Sequence, residues 1–237
     1  MGRFLRFFVF FALLVAVLVL VVAPLALGPV LTQIVRNAGL QADTLSVSVA
    51  PFDPTLLLGK SRQIRLIATD VDVSPAKIGR VNLAVGDASY FDRSFQTVSG
   101  DLNDVSLTVN GTDDVHVGDI SVDGPAAAAN ATAHLSATDT DQLIRLAGKR
   151  AGLAIDDVTV GDTGVSVKVG GVDSAAQLAV TGGALVLKPG AGDTIVLMQP
   201  KPSDPWSLQE AWVDASGLNV RALVDVTQIT DNITGAT

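Results

Sequence analysis

The 237-residue sequence predicts a β-rich α+β fold, a long, mainly antiparallel twisted sheet with one or two helices, set behind an N-terminal transmembrane helix. Three observations carry that prediction. Residues Phe7 to Leu27 are uncharged and almost wholly apolar. From Leu45 onward, apolar and polar residues alternate with period two in many short runs. The runs are separated by turn dipeptides, mostly ending in glycine, at hairpin spacing rather than by crossover helices.

The apolar stretch is 21 residues long, and at about 1.5 Å per helical residue it spans roughly 32 Å, close to the thickness of a bilayer's hydrocarbon core. Arg3 and Arg6 are the only charges before it, and no Asp or Glu occurs until Asp43. By the positive-inside tendency, residues 1–6 form a cytoplasmic stub and the chain after Gly28 lies outside. A cleaved signal peptide is the alternative. Its basic start fits, but signal peptides have an apolar core of about 7–15 residues, and Pro24 follows Ala23 where cleavage would fall. The reading taken is a single-pass cell-membrane anchor over 7–27, with an extracytoplasmic bulk. Residues 28–39 read as a linking helix. Val30, Leu31, Ile34, Val35 and Ala38 share one face, and Gly39 stops it.

Residues 40–237 then form the β-rich extracytoplasmic domain. Clean alternation marks strands at Leu45, Val47 and Val49, at Val81, Leu83 and Val85, at Val105, Leu107 and Val109, and at Val165, Val167 and Val169. Turn dipeptides fall at Asn110-Gly111, Asp123-Gly124, Gly170-Gly171, Gly182-Gly183 and Pro189-Gly190. Residues 175–181 and 184–188, joined by Gly182-Gly183, give the clearest hairpin. One helix interrupts the pattern. Thr138 is placed to cap it with Asp141 as capping-box partner, Leu143, Ile144, Leu146 and Ala147 form its apolar face, and Gly152 ends it. Flanked by strands, this helix must lay its apolar face on the sheet.

Composition excludes several function classes. The 16 Lys and Arg include Arg3 and Arg6, so the outer part carries 14 against 24 acidic residues, a balance of −10. That opposes nucleic-acid binding, which needs clustered cations, and opposes a polybasic grip on anionic headgroups. The absence of cysteine removes thiol catalysis, Cys-ligated zinc and iron–sulfur clusters. His116 and His134 are the only histidines, and each sits at a polar position of an alternating strand. The acidic residues Asp113-Asp114, Asp139, Asp141 and Asp156-Asp157 fall where turns or a helix start would place them, without EF-hand spacing. No nucleophile elbow, Walker loop or dinucleotide-binding glycine pattern is present. The expectation is therefore a protein that is not an enzyme, with no catalytic residues, metal site or cofactor.

Two segments stand out from this background. Residues 51–59 form an apolar turn with Leu56, Leu57 and Leu58 in a row, which either packs into the core or guards an apolar opening. Residues 200–212 hold both tryptophans, Trp206 and Trp212, around three prolines, as at an interface, a ligand contact or a core.

The order of features resembles the LmeA-type phospholipid-binding proteins of the actinobacterial cell envelope. The resemblance rests on Gly39-Leu40 through Val47, on Pro51-Phe52 with Leu57-Leu58-Gly59, on Ile64 to Val73, on the helix at 138–152 followed by Val158 and Val160, and on Gly183-Ala184-Leu185. The alanine run Ala126–Ala129 and the long apolar N-terminus depart from the family pattern. The resemblance implies a tubular lipid-binding fold, a sheet wrapped around a helix with an apolar interior for acyl chains, serving envelope lipid or glycolipid assembly. An aliphatic, aromatic-poor sheet face suits acyl chains better than sugars. The expected partners are a phospholipid or related lipid and the membrane, with Leu56, Leu57, Leu58, Trp206 and Trp212 as the lipid-binding residues. The same alternation also serves a closed β-sandwich scaffold or adhesion module with no cavity.

Overall fold

The computed structural model describes residues 42–49, 55, 58–73, 76–89, 92, 94–109, 113–162, 164–190 and 193–228. The predicted cytoplasmic stub, anchor and linking helix, with Leu56 and Leu57, lie outside these residues. Among the described residues no helix is long and apolar enough to cross a membrane.

The described residues form strands β1 (Thr44–Val49), β2 (Lys60–Val73), β3 (Ala76–Ser89), β4 (Thr97–Val109), β5 (Asp113–Pro125) and β6 (Ala129–Ser136), then helix α1 (Ala137–Arg150). After α1 come β7 (Ile155–Gly161), β8 (Gly164–Val169), β9 (Val172–Thr181), β10 (Ala184–Pro189), β11 (Ile195–Met198), β12 (Trp206–Asp214) and β13 (Gly217–Val224). Every strand pairing is antiparallel. The hairpin at Gly182-Gly183 forms as predicted, with Ala184 paired to Thr181.

Where the sequence predicts one long sheet, the structure has two. The larger runs β1-β2-β3-β4-β5-β6-β13-β12, and the smaller β11-β10-β9-β8-β7. The chain leaves the large sheet after β6, builds α1 and the small sheet, and returns so that β13 pairs with β6. Prolines mark the point where the chain leaves the small sheet. Pro200, Pro202 and Pro205 lie between β11 and β12 and cannot donate backbone hydrogen bonds, so β12 does not extend the small meander. β12 instead lies against β9 and touches β7, β8 and β10, stacking one sheet on the other.

The strands β2 to β5 share a feature that strict alternation does not contain. Ala68 and Val71 face the core with Thr69 and Asp70 outside between them. The same in-out-out-in step recurs at Ile78–Val81, Leu102–Val105 and Val117–Ile120. The four steps are in register, since Ala68 pairs with Val81, Val81 with Leu102 and Leu102 with Ile120. Each strand therefore changes face along one line across the sheet, and no core position is lost. The backbone adapts by taking Asp70 and Asp104 to φ of 50° and 54°, a region in which Asp is tolerated because its short side chain bonds locally. Gly79 lies beside this line because a Cβ there would come within 2.9 Å of the Asp104 Cβ.

On the outer face the same line carries a cross-strand polar row, one residue per strand: Thr44, Thr69, Arg80, Asn103, Asp119, His134, Asn219 and Trp212. Three neighbouring pairs in the row bond directly. The Thr44 and Thr69 hydroxyls lie 2.6 Å apart, Asn103 Nδ2 donates to Asp119 Oδ1 at 2.5 Å, and His134 Nδ1 is 3.1 Å from Asn219 Oδ1. Such pairs stabilise a sheet by about 0.2–1 kcal/mol each.

Helix α1 joins the two sheets, touching β5, β6 and β13 on one side and β7 and β11 on the other. Its buried face is Leu143, Ile144 and Ala147, as predicted, with Thr140 and Gly148. Leu146 is only partly buried. The cap differs from the predicted one. Ser136, not Thr138, is the N-cap, accepting from the Asp139 backbone N–H at 3.2 Å, while its hydroxyl donates to Asp139 Oδ2 at 2.5 Å. The two candidate pairs have the same spacing, and pairing of β6 with β13 up to Ser136 decides between them. Gly152, at φ 75°, ends the helix, and the Leu153 N–H donates to the Gly148 carbonyl at 2.9 Å.

Because Asp70 and Asp87 hold left-handed backbone geometry (φ 50° in each), Asp70→Val or Asp87→Val is expected to cost about 1–2 kcal/mol in urea denaturation, and the Gly variants to stay within about 0.5 kcal/mol of the parent.

Candidate functional site

Between the two sheets lies an apolar cavity of about 60 Å³. β5, β6, β12 and β13 supply one wall through residues such as Val117, Leu135, Leu208 and Leu218, α1 supplies Leu143, and β10 and β11 supply Leu185 and Met198. All 14 lining residues are apolar, and Trp206 is the only aromatic among them. The local sequence explains the lining. The inward positions of the paired β6 and β13 taper together from large to small (Leu135, Ala133 and Ala131 opposite Leu218, Val220 and Ala222), and the alanines leave the space unfilled. At roughly 30 Å³ of liquid volume per water, the cavity would hold about two waters, but its walls offer them no polar partner.

Of the five residues predicted to bind lipid, the structure brings one to this cavity. Trp206 is 5% exposed and lines it. Trp212 is on the opposite face of the same strand. Trp206 pairs with Val224, but the register slips between Leu208 and Glu210, after which Ala211 and Val213 face inward and Trp212 outward. There the Arg221 guanidinium sits 5.3 Å from the Trp212 ring centroid and bonds Glu210 Oε2 at 3.0 Å. Leu58 is 69% exposed and away from the cavity, so of the two readings of the leucine run, core packing does not hold for Leu58. Leu143, Leu185, Leu218 and Met198 carry no individual sequence signal as cavity residues; only the fold brings them together.

The polar candidates have structural partners. His116 Nδ1 lies 3.4 Å from Asp139 Oδ2, and its Nε2 3.9 Å from Asp104 Oδ1, so the imidazole bridges β4 and the start of α1. The Ser136 hydroxyl donates to that same Asp139 oxygen, not to His116, so a serine–histidine relay is not assembled. Asp141 and Asp157 both pair with Arg145, at 2.7 and 3.4 Å, and Asp156 Oδ2 accepts from the Gly171 N–H at 2.9 Å. Among the described residues no group of three or more metal-ligating side chains gathers.

Among the described residues one ionisable group, away from the cavity lining, has a perturbed acidity. Asp214, in the turn between β12 and β13, accepts hydrogen bonds from the Ser216 hydroxyl, from the Ser216 N–H at 2.8 Å and from Asn219 Nδ2 at 2.9 Å. These bonds favour the carboxylate and hold its pKa below the ordinary 3.8, the Ser216 hydroxyl contributing most.

The chain matches no protein-family model, no curated protein and no solved structure.

Three outcomes follow from this geometry. Ala222→Val should fill cavity space and raise stability by about 1 kcal/mol, while Leu185→Ala should enlarge it at a cost of about 2–5 kcal/mol, both read by chemical denaturation. The unfolded chain protonates Asp214 more readily than the folded one, so the stability its carboxylate adds is present above 3.8 and lost as pH falls through the lowered folded value. The parent's advantage over Asp214→Asn should accordingly be full at neutral pH and shrink by about pH 3, as measured by urea denaturation at the two pH values.

Proposed function

We propose that the chain is a non-enzymatic, membrane-anchored extracytoplasmic protein that holds the acyl chains of a phospholipid or related lipid between its two sheets, in the service of envelope lipid or glycolipid assembly. The observation that carries the reading is the cavity itself, enclosed by two sheets and a helix and lined only by apolar side chains. An acyl chain gains about 0.8 kcal/mol per buried CH₂, so ten methylenes give on the order of 8 kcal/mol before ordering costs. Small-molecule pockets usually measure about 300–1,000 Å³, so lipid entry requires α1 and the β10–β11 edge to move away from the large sheet. The reading includes that expansion.

A second reading is favoured by a specific observation. At about 60 Å³ the cavity is small, and Leu185 and Leu218 lining it are fully buried, as in a closed scaffold with a packed core. Native mass spectrometry of the full chain, purified in amphipol after gentle extraction, separates the two. A reproducible added mass that extracts into organic solvent as phospholipid is the expected result. An apo mass, with no uptake from phospholipid vesicles, would contradict lipid binding and leave the scaffold.

A further inference from the structure

Among the described residues the two sheets end in four edge strands, β1 and β12 in the large sheet and β7 and β11 in the small one. An open edge carries unpaired backbone N–H and C=O groups and invites a further strand unless charge, proline, a bulge, shortness or a covering element prevents it. Three of the four edges are protected in this way. β12 slips in register between Leu208 and Glu210, carries Glu210 and Asp214, and lies against β9. β7 slips between Ile155 and Asp157, carries Asp156 and Asp157, and is packed by α1. β11 is only four residues long, and its pairing with β10 slips at Leu185. β1 has none of these devices. Thr44–Val49 contains no charge and no proline, and all six residues pair with β2 in unbroken register. Leu45, Val47 and Val49 pack against the core yet are only partly buried, because the sheet ends beside them. Thr44, Ser46 and Ser48 are exposed on the outer face.

We infer that β1 is a homodimer interface, pairing antiparallel with β1 of a second copy of this chain across a two-fold axis. The assignment is independent of whether the protein binds lipid. The chemistry of the edge specifies the occupant. A strand added here must set apolar residues toward the core side and small, uncharged polar residues toward the outside, since the opposite phase turns every side chain to the wrong face. A second β1 meets both requirements. Directly opposite residues of an antiparallel pair share a face, so the register must set apolar positions against apolar ones. Of the two-fold registers that do so, only the one centred on Val47 pairs all three apolar residues. Leu45 then lies opposite Val49 of the partner subunit, Val47 opposite the partner's Val47, and Ser46 opposite the partner's Ser48. The strand is uncharged, so no like charges meet across the pair although the chain carries a net −8. Two strands of this length bury less than the roughly 1,200 Å² of a standard interface, so the dimer dissociates and exchanges its subunits.

The chain has no cysteine, so single introduced cysteines report this register without background. Ser46→Cys and Ser48→Cys are made separately in the full chain, at exposed outer-face positions that leave the core unaltered. Each variant in dodecyl maltoside is oxidised alone and as an equilibrated equimolar mixture, and disulfide-linked dimer is measured on non-reducing gels. Gln177→Cys, exposed on β9 of the other sheet, serves as the collision control. The expected result is about five-fold more linked dimer from the mixture than from either variant alone or from the control. Positions 46 and 48 face each other within the Cα range of a disulfide, about 4.4–6.8 Å, while two copies of either position lie on the diagonal, about 7–8 Å apart. Single variants that link as well as the mixture would overturn the antiparallel two-fold register. Linkage no greater than that of Gln177→Cys in every sample would overturn the homodimer, and would leave the β1 edge to another occupant, such as a strand of a different protein.

Discussion

A sheet of eight strands with one apolar face cannot stand alone in water, and the way this chain covers that face governs everything else in the molecule. Inward residues such as Leu66, Leu83, Leu102 and Leu218 need apolar neighbours, and at about 25 cal/mol per Å² of apolar surface their burial dominates the stability. At the β5–β6–β13–β12 end the cover is α1 and the five-stranded sheet, both inserted between strands that belong to the large sheet. The insertion creates the seam between sheets. The seam, through alanines at positions 131, 133 and 222, leaves the cavity. Trp206 sits where the seam meets the surface.

The in-register step across β2 to β5 is a second consequence of the same constraint. Strands of 13 or 14 residues twist and bend, and a rigid period of two would turn core residues outward. Placing two outward residues in succession at Thr69-Asp70, Gly79-Arg80, Asn103-Asp104 and Gly118-Asp119 lets all four strands keep their apolar positions inside. The polar row on the outer face, from Thr44 to Trp212, continues this line across the sheet and adds side-chain bonds between β1 and β2, β4 and β5, and β6 and β13.

Much of the strand content was legible because its signal is local. Val81, Leu83 and Val85 alternate, and Gly182-Gly183 requires positive φ, so these segments declare themselves without knowledge of their neighbours. The division into two sheets is not local. It depends on β13 returning to β6, where Gly217 pairs with Ser136 from 81 residues further along the chain, and no short window encodes that return, although Pro200, Pro202 and Pro205 mark where it happens. The tryptophans show the limit most clearly. Six positions apart on one strand, Trp206 and Trp212 should share a face. One register slip between Leu208 and Glu210 puts them on opposite faces, one against the cavity and one against Arg221. The helix cap failed for a different reason: Ser136–Asp139 and Thr138–Asp141 are equivalent by spacing, and only the end of the β6–β13 ladder separates them.

The central claim is that an acyl chain enters the seam between the sheets. Photo-crosslinking tests it most directly, using the full chain in nanodiscs with a phospholipid carrying a diazirine at the end of its acyl chain, followed by peptide mapping. The account predicts adducts on Val117, Leu143, Met198 and Leu218, which are remote in sequence and adjacent only around the cavity. Adducts confined to exposed apolar residues such as Leu58, Val172 and Val196 would contradict it, and would place lipid contact on the outer surface of a closed protein.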